Sequence, residues 1–286
     1  MKRTQRACAL VVAMILLLGL SACGSREPSF EEVMTKAISE LNNTGSMHCD
    51  MSMEITIAIN EQSVSTTMFI SMDSIADPML AKADMSASSL GTSMNAMVYV
   101  EQNGDTYTKY ISTDGRNWAA QTGLQMPEIS QFTPQHALEL YLSGSERFKK
   151  IGSDTINGFQ AVRYDGSIST DFVSDVLEMS GMAAQFSSYG LTAEQFVELY
   201  RDTEDIRMSV WIDEESGLPV RSDLDMSETM NTIMGKLMKE ILGDTPGFNL
   251  SLERAQITMM LSQFDSIDPI VIPDAVKNAA AGGDLV

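Results

Sequence analysis

The chain has 286 residues, of which 19 are basic and 39 acidic, and its formal net charge is −20 at pH 7. So acidic a surface repels nucleic acid and anionic lipid headgroups, which excludes a nucleic-acid partner and electrostatic adhesion to a membrane. Hydrophobic residues make up 44% of the chain, a share typical of a globular protein and too high for a disordered one.

The N-terminal segment has the pattern of a secretory signal peptide. It begins with three basic residues, Lys2, Arg3 and Arg6, and continues with an apolar run over residues 7–20. This run is shorter than the ~20 residues that a membrane-spanning helix needs, so a cleaved signal is favoured over an uncleaved anchor. A plain secretory signal without lipid attachment is the other alternative.

The end of this segment indicates how the chain is attached to a membrane. Residues 20–23 (Leu-Ser-Ala-Cys) resemble the lipobox of bacterial lipoproteins, in which the chain is cut before the cysteine and the thiol is acylated. The resemblance implies removal of residues 1–22, a palmitate-type lipid on Cys23 and a short tether over 23–28. It places the protein on the extracytoplasmic face of the cell membrane, with the Cys23 lipid as its membrane contact.

Folded structure is predicted from Ser29 onwards, and the spacing of apolar residues separates helices from strands. Ser29 and Glu32 have the spacing of a capping box, as do Thr192 and Gln195. Helical spacing predicts helices at 29–42, 134–143, 171–179, 192–201 and 227–242.

Long strands are predicted between these helices. From Met47 to Ile59 apolar residues occupy every second position, which is typical of a strand with one buried and one wet face. Alternation and turn residues predict further strands at 64–72, 80–87, 93–101, 106–112, 148–168 (turning at 157–158), 206–212, 218–226 and 251–264. We expect a single domain over 29–278, because no composition break interrupts it, and a frayed tail over 279–286.

Two groups of residues carry a resemblance to a known superfamily. Residues 98–100 (Val-Tyr-Val), with 104–107 and 114–118, resemble a strand pair of Gram-positive lipoproteins, and 210–213 with 216–220 resemble their late hairpin. Together with the lipobox and the order of elements, they make the chain similar to the lipoprotein carriers LolA, LolB, LppX and LprG. The resemblance implies an α+β fold, in which a strongly curved antiparallel sheet forms an open half-barrel. Helices cover its concave face, which binds acyl chains.

The residues expected to line such a pocket combine the apolar face of the first strand with methionines of the last long helix. Methionine is abundant, with 22 in the chain, and its flexible side chain suits adaptable apolar ligands. The alternative is that these methionines only fill the core. The predicted lining is Met47, Met51, Met53, Ile55, Ile57, Met230, Met234 and Met238.

Two functions of different classes follow from these observations. The first is binding or carriage of an apolar ligand, most simply a lipid, between sheet and helices. The second is a surface interaction or sensor module without a ligand, which would work through the polar face of the strands. We predict no enzymatic activity, because the chain has no Gly-x-Ser-x-Gly nucleophile motif, zinc motif or phosphate loop.

A copper site is conceivable at His48, Cys49, Met51 and Met53, since thiolate and thioether ligands select Cu(I). Alternation along the strand argues against it, because it directs His48 to the face opposite the other three residues. Cys49 is more simply a small buried hydrophobe than a reactive thiol.

A calcium site at Asp223, Asp225 and Glu228 is also conceivable, but these residues lack the spacing and glycine of a calcium loop. The sequence therefore predicts neither a metal nor a cofactor.

Overall fold

The computed structural model describes residues 28–60, 62–129, 133, 145–169, 192–242 and 250–281. The predicted signal peptide, the lipidation residue Cys23 and the predicted helices 134–143 and 171–179 lie outside the described residues.

The described helices are α1 (Phe30–Asn42), α2 (Met126–Ile129), α3 (Ala193–Tyr200), α4 (Ser227–Leu242) and α5 (Asp274–Lys277). The strands are β1 (Ser46–Ile59), β2 (Gln62–Ile75), β3 (Leu80–Ser89), β4 (Thr92–Asn103), β5 (Thr106–Ser112), β6 (Ala119–Leu124), β7 (Ser145–Ile156), β8 (Phe159–Ile168), β9 (Ile206–Asp213), β10 (Pro219–Asp225), β11 (Leu250–Ser262) and β12 (Ala280–Ala281). None of the helices in these ranges is long and apolar enough to cross a membrane.

All twelve strands form one open sheet in the order β12-β6-β5-β4-β3-β2-β1-β11-β10-β9-β8-β7. Neighbours are antiparallel except β12, which pairs in parallel with β6. The sheet thus consists of two meanders, β1–β6 and β7–β11, joined where the first strand pairs with the eleventh. Edges β12 and β7 do not meet, so the predicted open antiparallel sheet is confirmed.

Local signals in the sequence predict the position of most helices and strands correctly. The hydroxyl of Ser29 accepts a hydrogen bond from the Glu32 amide, and the Glu32 carboxylate accepts one from the Ser29 amide, which completes the predicted capping box of α1. Thr192 and Gln195 complete the same motif at α3. β1 runs over almost the range that its alternation predicts.

Two strands were not predicted. β6 carries no clear alternation, and only its pairing with β5 shows it to be a strand. β12 lies in the segment expected to be a frayed tail: Ala280 and Ala281 pair with Ala119 and Ala120 of β6. Their small side chains let the backbone approach the open edge, so the ordered chain extends past residue 278.

One face of the sheet, called the inner face here, carries the main core. On β1 it holds the odd-numbered residues, and α1 packs against it through Met34, Ala37 and Leu41. The first residue of α1, Phe30, stacks on Phe148 of edge strand β7 with ring centroids 4.3 Å apart. The helix then ends next to β1, so it crosses the inner face from the β7 edge to the middle of the sheet.

Candidate ligand-binding groove

The inner face is fully buried at one end and only half-buried at the other. Met47 and Cys49, at the start of β1, are 0% and 1% exposed, and Met72 of β2 is 2% exposed. Further along β1, from Met51 to Ile57, the inward-facing residues are half-buried. The end of the face next to α1 is therefore a closed core, and the far end is not.

The half-buried end forms a continuous apolar surface on three strands. In the register of the sheet, Met51 lies opposite Ile70 of β2, and Ile70 lies opposite Met85 of β3. Met53 lies opposite Met68 in the next row. We call this surface the methionine strip, and its members are Met51, Met53, Ile55, Ile57, Met68, Ile70 and Met85. Its side chains are hydrocarbon and thioether groups only, so it can bind apolar surface but offers no catalytic group.

The other half of the inner face is closed over most of β9 to β11. Met208, Leu224, Ile257 and Met259, on β9 to β11, are all less than 9% exposed. Val162 of β8 and Ile206 of β9 are also half-buried, but only in the methionine strip does partial exposure extend over three adjacent strands of the sheet's β1–β4 half.

Helix α4 is held against β11 beside the strip. Where β11 bulges opposite Thr56 and Ile57, the freed Leu252 amide donates to the side-chain oxygen of Asn231 at 2.9 Å. The Ala255 amide donates to the hydroxyl of Ser227 at 3.0 Å. Two side chains at the start of α4 therefore satisfy backbone groups of β11 and fix the helix on the strand.

The predicted lining residues fall into three places. Met47 belongs to the closed core, whereas Met51, Met53, Ile55 and Ile57 lie in the methionine strip. The predicted residues of α4 are Met230, Met234 and Met238, and all three are half-buried. Met230 contacts α3, because the hydroxyl of Tyr200 lies 3.9 Å from its sulfur. Their role as a ligand lining stays a prediction.

The candidate copper ligands are on opposite faces of β1, as alternation indicated. Cys49 points into the core, while His48 lies on the outer face, with Nδ1 2.7 Å from Asp73 and Nε2 3.1 Å from Asp50. The His48 imidazole thus contacts two carboxylates, one on β1 and one on β2, and the Cys49 thiol is buried among apolar side chains.

Burial predicts that Cys49 is chemically inert in the folded protein. Burial raises the pKa of its thiol to about 12, and the negative charge of Asp50 adds to the effect. Since the thiolate is the nucleophile, we expect almost no alkylation of Cys49 at pH 8 in the native protein and complete alkylation in urea. Mass spectrometry after iodoacetamide treatment measures both. Rapid alkylation without denaturant would contradict the expectation.

The candidate calcium ligands are occupied by partners of their own. Asp223 accepts two hydrogen bonds from Arg221, at 2.9 and 2.7 Å, and Asp225 accepts from the Ser227 amide at 3.0 Å. Glu228 pairs with Arg207. Across the described part of the chain, no group of three or more His, Cys, Asp or Glu side chains is placed to hold a metal ion.

The outer face carries a feature that the sequence analysis missed. Trp211 of β9 lies between two arginines, with the guanidinium of Arg163 (β8) 5.0 Å from its ring centroid and that of Arg221 (β10) at 4.7 Å. Each arginine forms a two-pronged ion pair with the aspartate two residues on. The repeated Arg-x-Asp on β8 and β10 was the available signal, since residues two apart on a strand share a face.

An open depression of about 460 Å³ lies on this part of the outer face. Arg207 and Arg254 line it together with Arg163 and Arg221. We call the stack of Arg163, Trp211 and Arg221 the arginine ladder. Arg254 pairs with Glu54 at 3.2 Å, and Arg207 pairs with Glu228. Every one of these arginines has a carboxylate partner, so we interpret the ladder as a structural feature that ties β8, β9 and β10 together.

The chain is similar to several solved lipoprotein structures. LppX from Mycobacterium tuberculosis has 14% sequence identity and a TM-score of 0.44, with 84% of this chain and 96% of LppX covered. For LprF from Mycobacterium bovis the values are 11% and 0.46, with 87% and 99% covered. A putative outer membrane lipoprotein-sorting protein domain from Vibrio parahaemolyticus has 9% identity and a TM-score of 0.24, with 81% and 89% covered. LppX is one of the proteins to which the sequence analysis found the chain similar.

No curated protein matches the sequence significantly. A family model does match, over residues 29–281, which include all the described helices and strands. The chain therefore belongs to the family described as a family of unknown function, DUF6612.

Proposed function

We propose that the protein is a membrane-anchored lipoprotein that binds an apolar ligand, with the acyl chain of a lipid as the expected class. The observation that carries the proposal is the methionine strip, which is half-buried and continuous over three adjacent strands beside the closed core.

The strip has the chemistry that an acyl chain requires. Burying apolar surface contributes about 25 cal/mol per Å², or ~0.8 kcal/mol for each methylene group removed from water. Four of its seven members are methionines, which lie on three adjacent strands, and unbranched thioether side chains adapt to ligands of different shape. In this proposal the sheet curves around the ligand and helices cover it, with Met230, Met234 and Met238 of α4 completing the lining.

The predicted anchor supports the same function. A lipid on Cys23 and a tether over 23–28 would keep the strip close to the bilayer, which is the source of acyl ligands. The resemblance to lipoprotein carriers points the same way, because that superfamily binds acyl chains on the helix-covered face of its sheet.

Native mass spectrometry of the chain from Ser29 onwards tests the proposal. We expect the purified protein to carry lipid in stoichiometric amount, identified by organic extraction, and Met53→Glu to lose most of it. A charge buried against hydrocarbon opposes binding of an acyl chain. The matched control is Ser52→Glu, which places the same charge on the exposed outer face of the same strand and should retain the lipid.

A second variant covers the case in which Met53→Glu disturbs folding. Ile70→Trp adds volume to the strip without a charge and should reduce lipid binding while the circular dichroism spectrum stays unchanged. If the wild-type protein has a clean apo mass, also after incubation with membrane lipids, the ligand-binding proposal is wrong. The ligand-free interaction module then becomes the better account of the protein.

A further inference from the structure

The strongest unexplained feature is a group of exposed apolar side chains at one end of the sheet, where the β1–β2 and β3–β4 hairpins turn. Leu90 is 80% exposed, Met94 67%, Phe69 45% and Ile59 40%. We call this end the hairpin tip. These four are the majority of the large exposed hydrophobic residues in the described part of the chain.

The residues of the hairpin tip do not share one face of the sheet. Ile59 and Met94 belong to the inner face and Phe69 to the outer face, while Leu90 lies in the turn itself. A partner packed flat on either face would cover only part of this group. A medium that surrounds the end of the sheet from both sides would cover all of it.

The backbone conformation at Leu90 indicates that the geometry of the turn does not favour a leucine at this position. Leu90 and Gly91 both have positive φ, 51° and 77°, as in the two-residue type I′ turn that favours Asn-Gly. The β7–β8 hairpin of this same chain has such a turn with Asn157 and Gly158, at 49° and 90°. A leucine in the left-handed region is unfavourable, and at 80% exposure no packing in the folded protein compensates for it.

The β3–β4 hairpin of this end is also free of charge around its turn in a strongly acidic protein, whereas the β1–β2 turn holds Glu61. No residue between Asp84 and Glu101 is charged, and none between Glu61 and Asp73, although the whole chain has a net charge of −20. Small polar residues, mostly serine and threonine, fill the positions between the apolar ones. The rest of the surface repels an anionic membrane, whereas the β3–β4 hairpin can enter the interface without burying a charge of its own.

From these observations we propose that the β3–β4 hairpin inserts into the surface of the lipid bilayer through Leu90 and Met94. Apolar side chains projecting from an uncharged segment are the groups that partition into the boundary between headgroups and acyl chains. A tether of six residues, 23–28, reaches at most roughly 20 Å, so it would hold the folded domain against the membrane. Met94 lies in the register row of Met68, so the methionine strip would open towards the bilayer.

Site-specific fluorescence on the anchored, full-length protein tests this proposal. Ser88→Cys, an exposed position beside the turn, is labelled with an environment-sensitive dye, and Asp105→Cys in the β4–β5 turn at the opposite end of the sheet is the control. Cys49 is buried and stays unlabelled in the native protein. In phosphatidylcholine vesicles with brominated acyl chains, we expect quenching at position 88 and almost none at 105.

Leu90→Asn is the decisive variant, because it copies the turn of the β7–β8 hairpin. We expect it to raise the melting temperature and to reduce quenching at position 88 to the level of position 105. Equal quenching at the two positions, or quenching at 88 that Leu90→Asn leaves unchanged, would overturn the proposal. The absence of quenching in this purified system would point to a protein partner at the tip instead. The result does not depend on whether lipid co-purifies with the chain from Ser29, so this proposal and the ligand-binding proposal can fail separately.

Discussion

Replacing Trp211 by alanine is expected to lower the free energy of unfolding by about 3–5 kcal/mol, the usual cost of removing a buried aromatic side chain. The indole is 4% exposed and packs with Ala161 and Val220. Its Nε1–H donates to Asp154 at 2.8 Å, so the alanine variant would leave that carboxylate without this donor. Both flanking arginines would also lose their cation–π contacts, worth ~0.5–1 kcal/mol each at partly exposed sites.

Urea unfolding followed by far-UV circular dichroism measures this effect, and the second tryptophan provides the control. Trp118 is half-buried, with a single tilted ring contact to Tyr99 at 5.6 Å, so Trp118→Ala should cost clearly less than Trp211→Ala. Trp211→Phe keeps most of the packing but loses the bond to Asp154, and we expect an intermediate value. Equal destabilisation by the two alanine variants would show that the ladder is not the tie between strands that its geometry indicates.

The sequence predicted those parts of the fold that depend on local signals. The alternation from Met47 to Ile59 predicted β1 because one face of that strand is buried and the other is wet. The capping residues Ser29 and Thr192 placed the starts of α1 and α3 because they satisfy amides that the helix leaves free. β6 was missed because its sequence, Ala-Ala-Gln-Thr-Gly-Leu, has too few apolar residues to alternate.

Features that depend on contacts between distant segments were not predictable. The pairing of β1 with β11 joins residues about 200 positions apart, and no local pattern indicates which strand lies beside the first. Trp211 meets Arg163 and Arg221 only because the register of three strands aligns them. Arg-x-Asp on two strands showed that the pairs share a face, but not that a tryptophan lies between them.

The sequence predicted the apolar chemistry of the candidate groove, but it did not predict where the groove begins and ends. The apolar stripe of β1 was evident from the sequence, but the stripe alone does not distinguish Met47, which is in the closed core, from Met51 and Met53. That division depends on where α1 crosses the sheet. The partners of the stripe on β2 and β3 likewise follow from the hairpin register, which turn length sets.

Replacing Gly166 by alanine is expected to loosen the attachment of α1 to the sheet. A Cβ at this position of β8 would lie 2.3 Å from Cδ2 of Phe148, so the phenyl ring must move. That ring stacks on Phe30, the first residue of α1, at 4.3 Å and with an interplanar angle of 6°. Overpacking of this kind costs about 1–3 kcal/mol, and we expect a loss of unfolding free energy in that range.

Gly152→Ala on the adjacent strand β7 is the matched control, since a Cβ there meets nothing within 4 Å and the glycine has no positive φ. It should leave the stability unchanged or raise it slightly, by about 0.4–1 kcal/mol, because alanine restricts the unfolded chain. In a Phe148→Leu background the smaller side chain gives way, and most of the cost of Gly166→Ala should disappear, as a double-mutant cycle in urea would measure. A cost that persists undiminished in that background would mean that Gly166 is required for a reason other than the ring of Phe148. The stacking of Phe148 on Phe30 would then not be what fixes the position of α1. That position matters because it decides which part of the inner face is closed.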